Sequence, residues 1–378
     1  MKILIASWTP RRREGGVFGV IWNVTHGLQA RGHHVECLFV EDLLRQPFSP
    51  ARFESVAFAW VLARKILHEF SGFDVVNLHS PCGFIYGVMR RTWWRGGPPF
   101  VMTMHGLEQR RVYAMRREEM KGQAWHFSSK NRAWRSAYYQ PQFDLAIRTA
   151  DESIVLNREA WSYLQLCYKR EAARVTYIPN GVEEKFFVAR DYPKNIAPRL
   201  LIVGSWLDQR GIYYLRDALE ILAGRLCNVR LTVAGCSVSE KGVKEFFGPR
   251  LEQNIEVIPF VPSEGMASIY AAHDIFVFPS LMEGLPLVLL EAMAGGMPVV
   301  TTETCGMADI VQDDINGLLV PAANAGAIAE AVARLHSSQE LRRRLGLAAQ
   351  AQMRNYTWEK IAARVEAVFE RAARGRTS

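Results

Sequence analysis

Two successive runs of short apolar strands alternating with amphipathic helices limit this chain to few folds. In the first run, Lys2–Ser7 reads as a strand and Phe18–Arg31 as a helix closed by Gly32. Strands follow at Val35–Val40, Val75–His79, Phe100–Met104, Ser153–Leu156 and Val175–Ile178. The polar, proline-containing stretch Ala189–Pro198 reads as a linker. The pattern then restarts with a strand at Arg199–Val203, a helix at Tyr213–Arg225 and a strand at Val229–Ala234. Further strands are expected at Ile255–Phe260, Ile275–Phe278 and Pro298–Thr301. Such βαβ alternation predicts parallel, doubly wound sheets. At roughly 100–200 residues per domain, 378 residues accommodate two Rossmann-like domains. Their boundaries are placed at 1–188 and 189–358. The last helix pattern, from Trp358 onward, has Ile361, Val365, Val368 and Phe369 on one face, and 359–378 is assigned back to the first domain. Ligands of open α/β sheets bind beyond the carboxyl ends of the strands, so the chemistry is expected in loops facing a cleft between two such sheets.

Composition excludes several alternatives. Hydrophobic residues are 49% and charged residues 22% of the chain, so disorder is not expected. No apolar run reaches the roughly 18 residues of a membrane span; the longest, Leu285–Val300, is broken by Glu291. The first residues run straight into a strand, with no pattern of a secretory signal. Six scattered cysteines without a C-x-x-C pair speak against a disulfide framework or zinc cluster and fit a reducing, cytoplasmic setting. The net charge of +8 is concentrated in residues 90–148, with 12 basic and 4 acidic residues among Trp93, Trp94, Trp125, Trp134, Tyr113, Tyr138 and Tyr139. Two readings stand for that stretch. One is a solvated basic face with core aromatics, and the other is an anionic surface or acceptor. Nucleic acid is not expected, because no helix-turn-helix, RNA-binding or zinc-finger signature accompanies the charge.

The strongest chemical signal is Glu283-Gly284-Leu285-Pro286-Leu287-Val288-Leu289-Leu290-Glu291. A strand ends at Phe278-Pro279-Ser280, a loop carries Glu283, and a helix starts near Pro286, a favoured first-turn residue. The first-turn N–H groups and the dipole make such a start an anion site. Two carboxylates so spaced could hold hydroxyls of a sugar and a ribose with phosphate between them.

This segment resembles the E-x7-E motif of the retaining glycosyltransferases of family 4, which have the GT-B fold. The resemblance extends over nearly the whole chain. It includes the glycine loop Glu14-Gly15-Gly16-Val17-Phe18-Gly19, then Thr103-Met104-His105-Gly106 and Ile178-Pro179-Asn180-Gly181. It continues through Val203-Gly204-Ser205-Trp206-Leu207-Asp208-Gln209-Arg210-Gly211, Asp274–Ser280 and Asn316–Pro321. Each piece alone is weak, but their order and spacing are specific. The family implies a UDP- or GDP-sugar held mainly by the second domain. Glu283 would contact sugar hydroxyls, the backbone of Gly284 and Leu285 would meet sugar or phosphate, and Glu291 would bind the ribose. The base would meet backbone near Val261. Gly15 and Gly16 would approach the diphosphate closely, as glycine allows, and His105 would lie near the reacting sugar. The catalytic assignments are His105, Glu283 and Arg210.

One departure stands out. Where the family usually has Gly-Arg and then Lys-Gly, this chain has Gly204-Ser205 and Arg210-Gly211. Arg210 keeps a cation suited to a diphosphate, whereas Ser205 offers only a hydroxyl. Arg11, Arg12 and Arg13 are further candidates for charge neutralisation. A milder departure is Asp309, where the family often has Glu. The chain contains no Asp-x-Asp, so no metal and no cofactor is expected, and Arg210 with the helix start would stabilise the leaving group. A front-face, retaining reaction is expected. The acceptor would be a glycan or lipid-linked intermediate of a surface polysaccharide, bound by the first domain, with the protein cytoplasmic and peripheral at the inner membrane face. Rivals are a sugar phosphorylase, a sugar-nucleotide epimerase or a non-catalytic sugar-nucleotide binder. A nicotinamide-dependent oxidoreductase fits less well, because Glu14 stands where its fingerprint needs glycine and the loop after the first strand is too long.

Overall fold

The computed structural model describes residues 1–11, 16–45, 53–120, 133–194, 199–226 and 229–375. It divides into two compact units, Met1–Asn180 with Trp358–Ser378, and Gly181–Thr357. The cut thus falls eight residues before the boundary expected at 188. The physical reason is that residues 181–188 pack on the second unit, where the Phe186 ring meets the Tyr270 ring edge-on and Gln350 Nε2 donates to the Val188 carbonyl at 2.8 Å. Residues that read as a linker also pack on the second unit, where the Arg190 guanidinium donates to the carbonyls of Gly295, His273 and Tyr270 at 2.8, 2.6 and 2.5 Å. The Tyr192 hydroxyl adds a bond to the Gly296 carbonyl at 2.7 Å. Three of these four carbonyls lie just beyond the helices Met266–Ala271 and Leu287–Ala294, where partial negative charge favours a cation. Residues 195–198 of the expected linker lie outside the described residues.

The first unit contains β1 (Lys2–Ala6), β2 (His34–Leu38), β3 (Val75–His79), β4 (Phe100–Met104), β5 (Glu152–Val155) and β6 (Val175–Tyr177). They form one parallel sheet in the order β2-β1-β3-β4-β5-β6. Every residue of β3 and β4 is buried, as strands covered by helices on both faces must be. The helix Trp358–Arg374 belongs to this unit and lies against the helix Gly16–Ala30. Contact is so close that a Cβ on Gly27 would sit 2.5 Å from that of Ala362. Glu366 anchors the same helix by accepting from Arg31 Nε at 2.5 Å and pairing with His33 Nε2 at 2.6 Å.

The second unit contains β7 (Arg199–Val203), β8 (Arg230–Ala234), β9 (Ile255–Ile258), β10 (Ile275–Phe278), β11 (Val299–Thr302) and β12 (Leu318–Val320). The parallel order is β12-β11-β10-β7-β8-β9. The connection order reverses between β7 and β10 here, and between β1 and β3 in the first unit. At such switch points the loops after neighbouring strands part and leave a crevice.

Candidate functional site

In the second unit the switch point joins two distant parts of the sequence. The loop after β7 carries Gly204 to Arg210, and the loop after β10 carries Ser280 to Pro286. They are tied by the Leu281 amide and the Ser280 hydroxyl, which both donate to the Gln209 carbonyl, at 2.8 and 2.9 Å. From behind, the buried hydroxyls of Thr301 and Thr302 donate to the carbonyls of Phe278 and Ser280 at 2.8 and 2.5 Å. Glycines permit the approach. Gly211 has φ 72°, and a Cβ there would lie 2.0 Å from the Pro279 carbonyl oxygen. On the far side, a Cβ on Gly306 would lie 2.2 Å from the Gly284 oxygen and 3.0 Å from the Leu285 Cα.

The result is an immobilised cation. The Arg210 guanidinium lies 4.8 Å from the centre of the Phe278 ring, and its Nε is 3.3 Å from Glu283 Oε1. A Cβ on Gly204 (φ 111°) would touch the guanidinium at 3.4 Å. Arg210 Nε and Nη1 are buried and make no hydrogen bond. A buried charge-bearing donor left without a partner is costly, and an anion with oxygen acceptors would relieve it. Ser280 Oγ also lies 3.2 Å from Glu283 Oε1, an alternative acceptor for its one hydrogen. The helix Leu287–Ala294 begins just after this loop, with Pro286 at its N-cap.

Glu291 lies in that helix. The Tyr270 hydroxyl donates to its Oε2 at 2.7 Å. Burial pushes the Glu291 carboxyl up to about 7; the Tyr270 hydrogen bond and Lys185 oppose the shift and Glu183 adds to it. Burial and the Glu291 carboxylate drive the Tyr270 hydroxyl well above its usual range. Neither Tyr270 nor Gly306 was singled out from the sequence. Gly306 is next to a cysteine in a short helix, and Tyr270 and Glu291 stand on separate helices with a strand between them, so no local spacing pairs them.

Ser205 is exposed, and the Trp206 that follows packs on Phe246 and Phe247. Val261 follows β9, two strands from β7 in the sheet, with its side chain buried and Phe260 before it 62% exposed. The carboxyl ends of β7, β8 and β9 are kept in step by Gly204 N–H to the Ala234 carbonyl and Gly235 N–H to the Ile258 carbonyl.

In the first unit Gly16 opens the helix after β1, and among the described residues no atom beyond its chain neighbours and its own helix backbone lies within 4 Å of where its Cβ would be. Gly15, Arg12 and Arg13 lie outside the described residues, while Arg11 is paired with Asp42 at 2.7 Å. His105 follows β4, and its Nε2 is 2.6 Å from Nδ1 of His79, the last residue of β3. Burial lowers His105 to about 4; burial and the neighbouring His105 hold His79 well below the ordinary histidine range. Both rings are neutral near pH 7.

Much of the charge in residues 90–148 is used internally. Arg90 pairs with Asp151 at 2.7 Å, Arg110 with Glu159 at 2.9 Å, and Arg135 with the buried Glu108 at 2.7 Å. Trp134 stacks on Tyr138, and Trp94 packs edge-on to Tyr86. Trp93 and Tyr113 remain 70% and 59% exposed. Trp125 lies outside the described residues. Among the described residues, no helix is long and apolar enough to cross a membrane.

Comparison with known proteins agrees across the chain. Residues 14–186 match the family described as Glycosyltransferase Family 4, and residues 197–338 match Glycosyl transferases group 1. An uncharacterized glycosyltransferase of Methanocaldococcus jannaschii is 25% identical over 82% of this chain and 79% of its own length. The phosphatidyl-myo-inositol mannosyltransferase of Mycobacterium leprae is 29% identical over 58% of this chain and 60% of its own. Among solved structures, sucrose-phosphate synthase from Thermosynechococcus elongatus superposes with a TM-score of 0.79 at 20% identity, covering 98% of both chains. Anabaena HepE in complex with UDP and glucose superposes with a TM-score of 0.68 at 17% identity, over 97% of this chain and 98% of that one. This chain is an α/β enzyme of the GT-B fold and belongs to the glycosyltransferases of family 4.

Proposed function

We propose that this enzyme moves a hexose from a UDP- or GDP-sugar to a glycan or lipid-linked acceptor, with retention at the anomeric carbon and without a metal ion. The observation that carries this reading is Arg210, a largely buried guanidinium held by Glu283 and Phe278 at a sheet switch point with two buried nitrogens lacking hydrogen-bond partners. The physical problem of the reaction is the nucleoside diphosphate, which departs as the anomeric carbon becomes oxocarbenium-like. A fixed cation and a helix start beside the departing phosphate stabilise that charge without reorganisation.

In this reading Arg210 and the backbone around Gly284 and Leu285 meet the diphosphate, with Ser205 adding a hydroxyl. Glu283 turns toward sugar hydroxyls, Glu291 toward the ribose, and the base lies against backbone near Val261. From the first domain, Gly15 and Gly16 admit the phosphates and His105 meets the reacting sugar. The leaving phosphate oxygen takes the proton of the acceptor hydroxyl as it attacks from the same face. HepE, solved with UDP and glucose, supports the donor class. An amylovoran biosynthesis glycosyltransferase of Erwinia amylovora, 28% identical over 47% of this chain and 46% of its own, supports a role in polysaccharide assembly. We place the enzyme in the cytoplasm, with exposed Trp93 and Tyr113 suited to an anionic inner membrane face.

Calorimetric binding of UDP, GDP and NAD in EDTA tests this reading. Binding of one nucleoside diphosphate without metal is expected, and binding of NAD alone overturns it. NMR of the product anomer tests retention, and a β-linkage from an α-donor would refute it.

A further inference from the structure

The first unit contains a buried titratable group that the reaction above does not use. His79 ends β3, is 4% exposed, and is in register with Thr103 of the neighbouring strand. Its surroundings fix it. The Ser80 amide that follows donates to the Thr103 carbonyl at 2.9 Å, and Cys82 Sγ donates to the His79 carbonyl at 2.8 Å. With Asn77, Thr103 and Asn180, His79 also lines a cavity of about 30 Å³, otherwise walled largely by hydrocarbon.

The contact between His79 and His105 is a hydrogen bond in the plane of the rings, not a face-to-face stack. The planes are 23° apart and the centroids 4.8 Å apart, while Nδ1 of His79 and Nε2 of His105 approach to 2.6 Å. Near-coplanar rings whose closest atoms are the two nitrogens are joined edge to edge. Such a bond holds a single hydrogen, so the two rings cannot choose tautomers independently. It also occupies Nε2 of His105.

We propose that His79 is a positioning residue for His105. It holds Nε2 and thereby leaves Nδ1, in one fixed tautomer, as the only nitrogen His105 can offer to a bound sugar nucleotide. The proposal rests on the reading above in which His105 meets the reacting sugar. His79 suits the task because it sits on a central strand rather than in a loop, and partners held on strands place a functional ring more accurately.

The test is long-range ¹⁵N–¹H NMR of the protein labelled at histidine, with the His105 signals assigned from His105→Gln. In the wild type, one His105 nitrogen should be protonated and the other bare, with no averaging between them. In His79→Leu the signals should average between tautomers, and in His79→Gln, which retains a hydrogen-bonding group, the single tautomer should be largely restored. Loss of the partners that orient metal-bound histidines costs about 10–100-fold in activity, and a loss of that order is expected here. It should appear in kcat with little change in the donor KM, and His79→Gln should recover part of it. Averaged tautomers in the wild type overturn the proposal even if His79→Leu does not fold. A His105 tautomer unchanged in folded His79→Leu overturns it too, and leaves the reading of His105 intact. A changed tautomer with undiminished turnover instead removes His105 from the reaction, and the positioning role with it.

Discussion

Replacing Arg210 with alanine removes the one group on which the assignment of the donor site chiefly rests. In the protein without ligand its Nε and Nη1 make no hydrogen bond, and its contacts are an ionic approach to Glu283 at 3.3 Å and the Phe278 ring at 4.8 Å. Losing Arg210 leaves the largely buried Glu283 carboxylate without its cation, which costs up to about 3–5 kcal/mol in a fully buried pair; relief of two buried donors without hydrogen bonds offsets this in part, so Arg210→Ala should fold with reduced stability. Binding is different. Hydrogen bonds to charged groups contribute about 1.5–3 kcal/mol each. Two such bonds from Nε and Nη1 to a diphosphate amount to about 3–6 kcal/mol, or roughly 10²–10⁴ in affinity at ~1.4 kcal/mol per decade. If the same bonds strengthen as the diphosphate departs, turnover falls on the order of 10²–10³. Arg210→Lys keeps a charge but loses the planar fork and should fall between wild type and alanine. The assay is calorimetric titration of UDP and GDP in EDTA, paired with turnover of the preferred donor. Wild-type affinity and turnover in a folded Arg210→Ala protein would refute the reasoning.

Three further outcomes are expected. Glu291, with its carboxyl raised to about 7 in the folded state, binds its proton more tightly folded than unfolded. Wild-type stability should therefore be lost as pH rises from the unfolded carboxyl range through about 7, and Glu291→Gln should gain on it over that window; parallel melting curves from pH 5 to 8 would contradict the assignment. Gly306→Ala places a Cβ 2.2 Å from the Gly284 oxygen and should displace the Glu283 loop, weakening nucleotide binding at least tenfold, on the order expected for misplaced site groups, while far-UV circular dichroism stays the same. Turnover should survive EDTA, and restoration of activity by added Mg²⁺ or Mn²⁺ after its loss would overturn metal independence.

The alternation of apolar strands and amphipathic helices was readable because it is local. Each helix declares its buried face at a period of 3.6 residues, and each buried parallel strand is a short apolar run. So were Glu283, Glu291 and Arg210, which stand in contiguous motifs. Strand order was not, since strands buried on both faces look alike in sequence and carry no label for their neighbours. Only the tertiary structure set β7 beside β10 and so brought Arg210 to Glu283 across 73 residues, as it set β3 beside β4 and so brought His79 to His105, and packed the helices flanking β10 so that Tyr270 meets Glu291. For the same reason Arg190 passed for linker and Arg135 for surface charge. A cation's role depends on the carbonyls or carboxylate that meet it, here at Tyr270, His273 and Gly295 for one and at Glu108 for the other. Sequence alone determined which residue types were present for the chemistry, and long-range packing decided which of them meet.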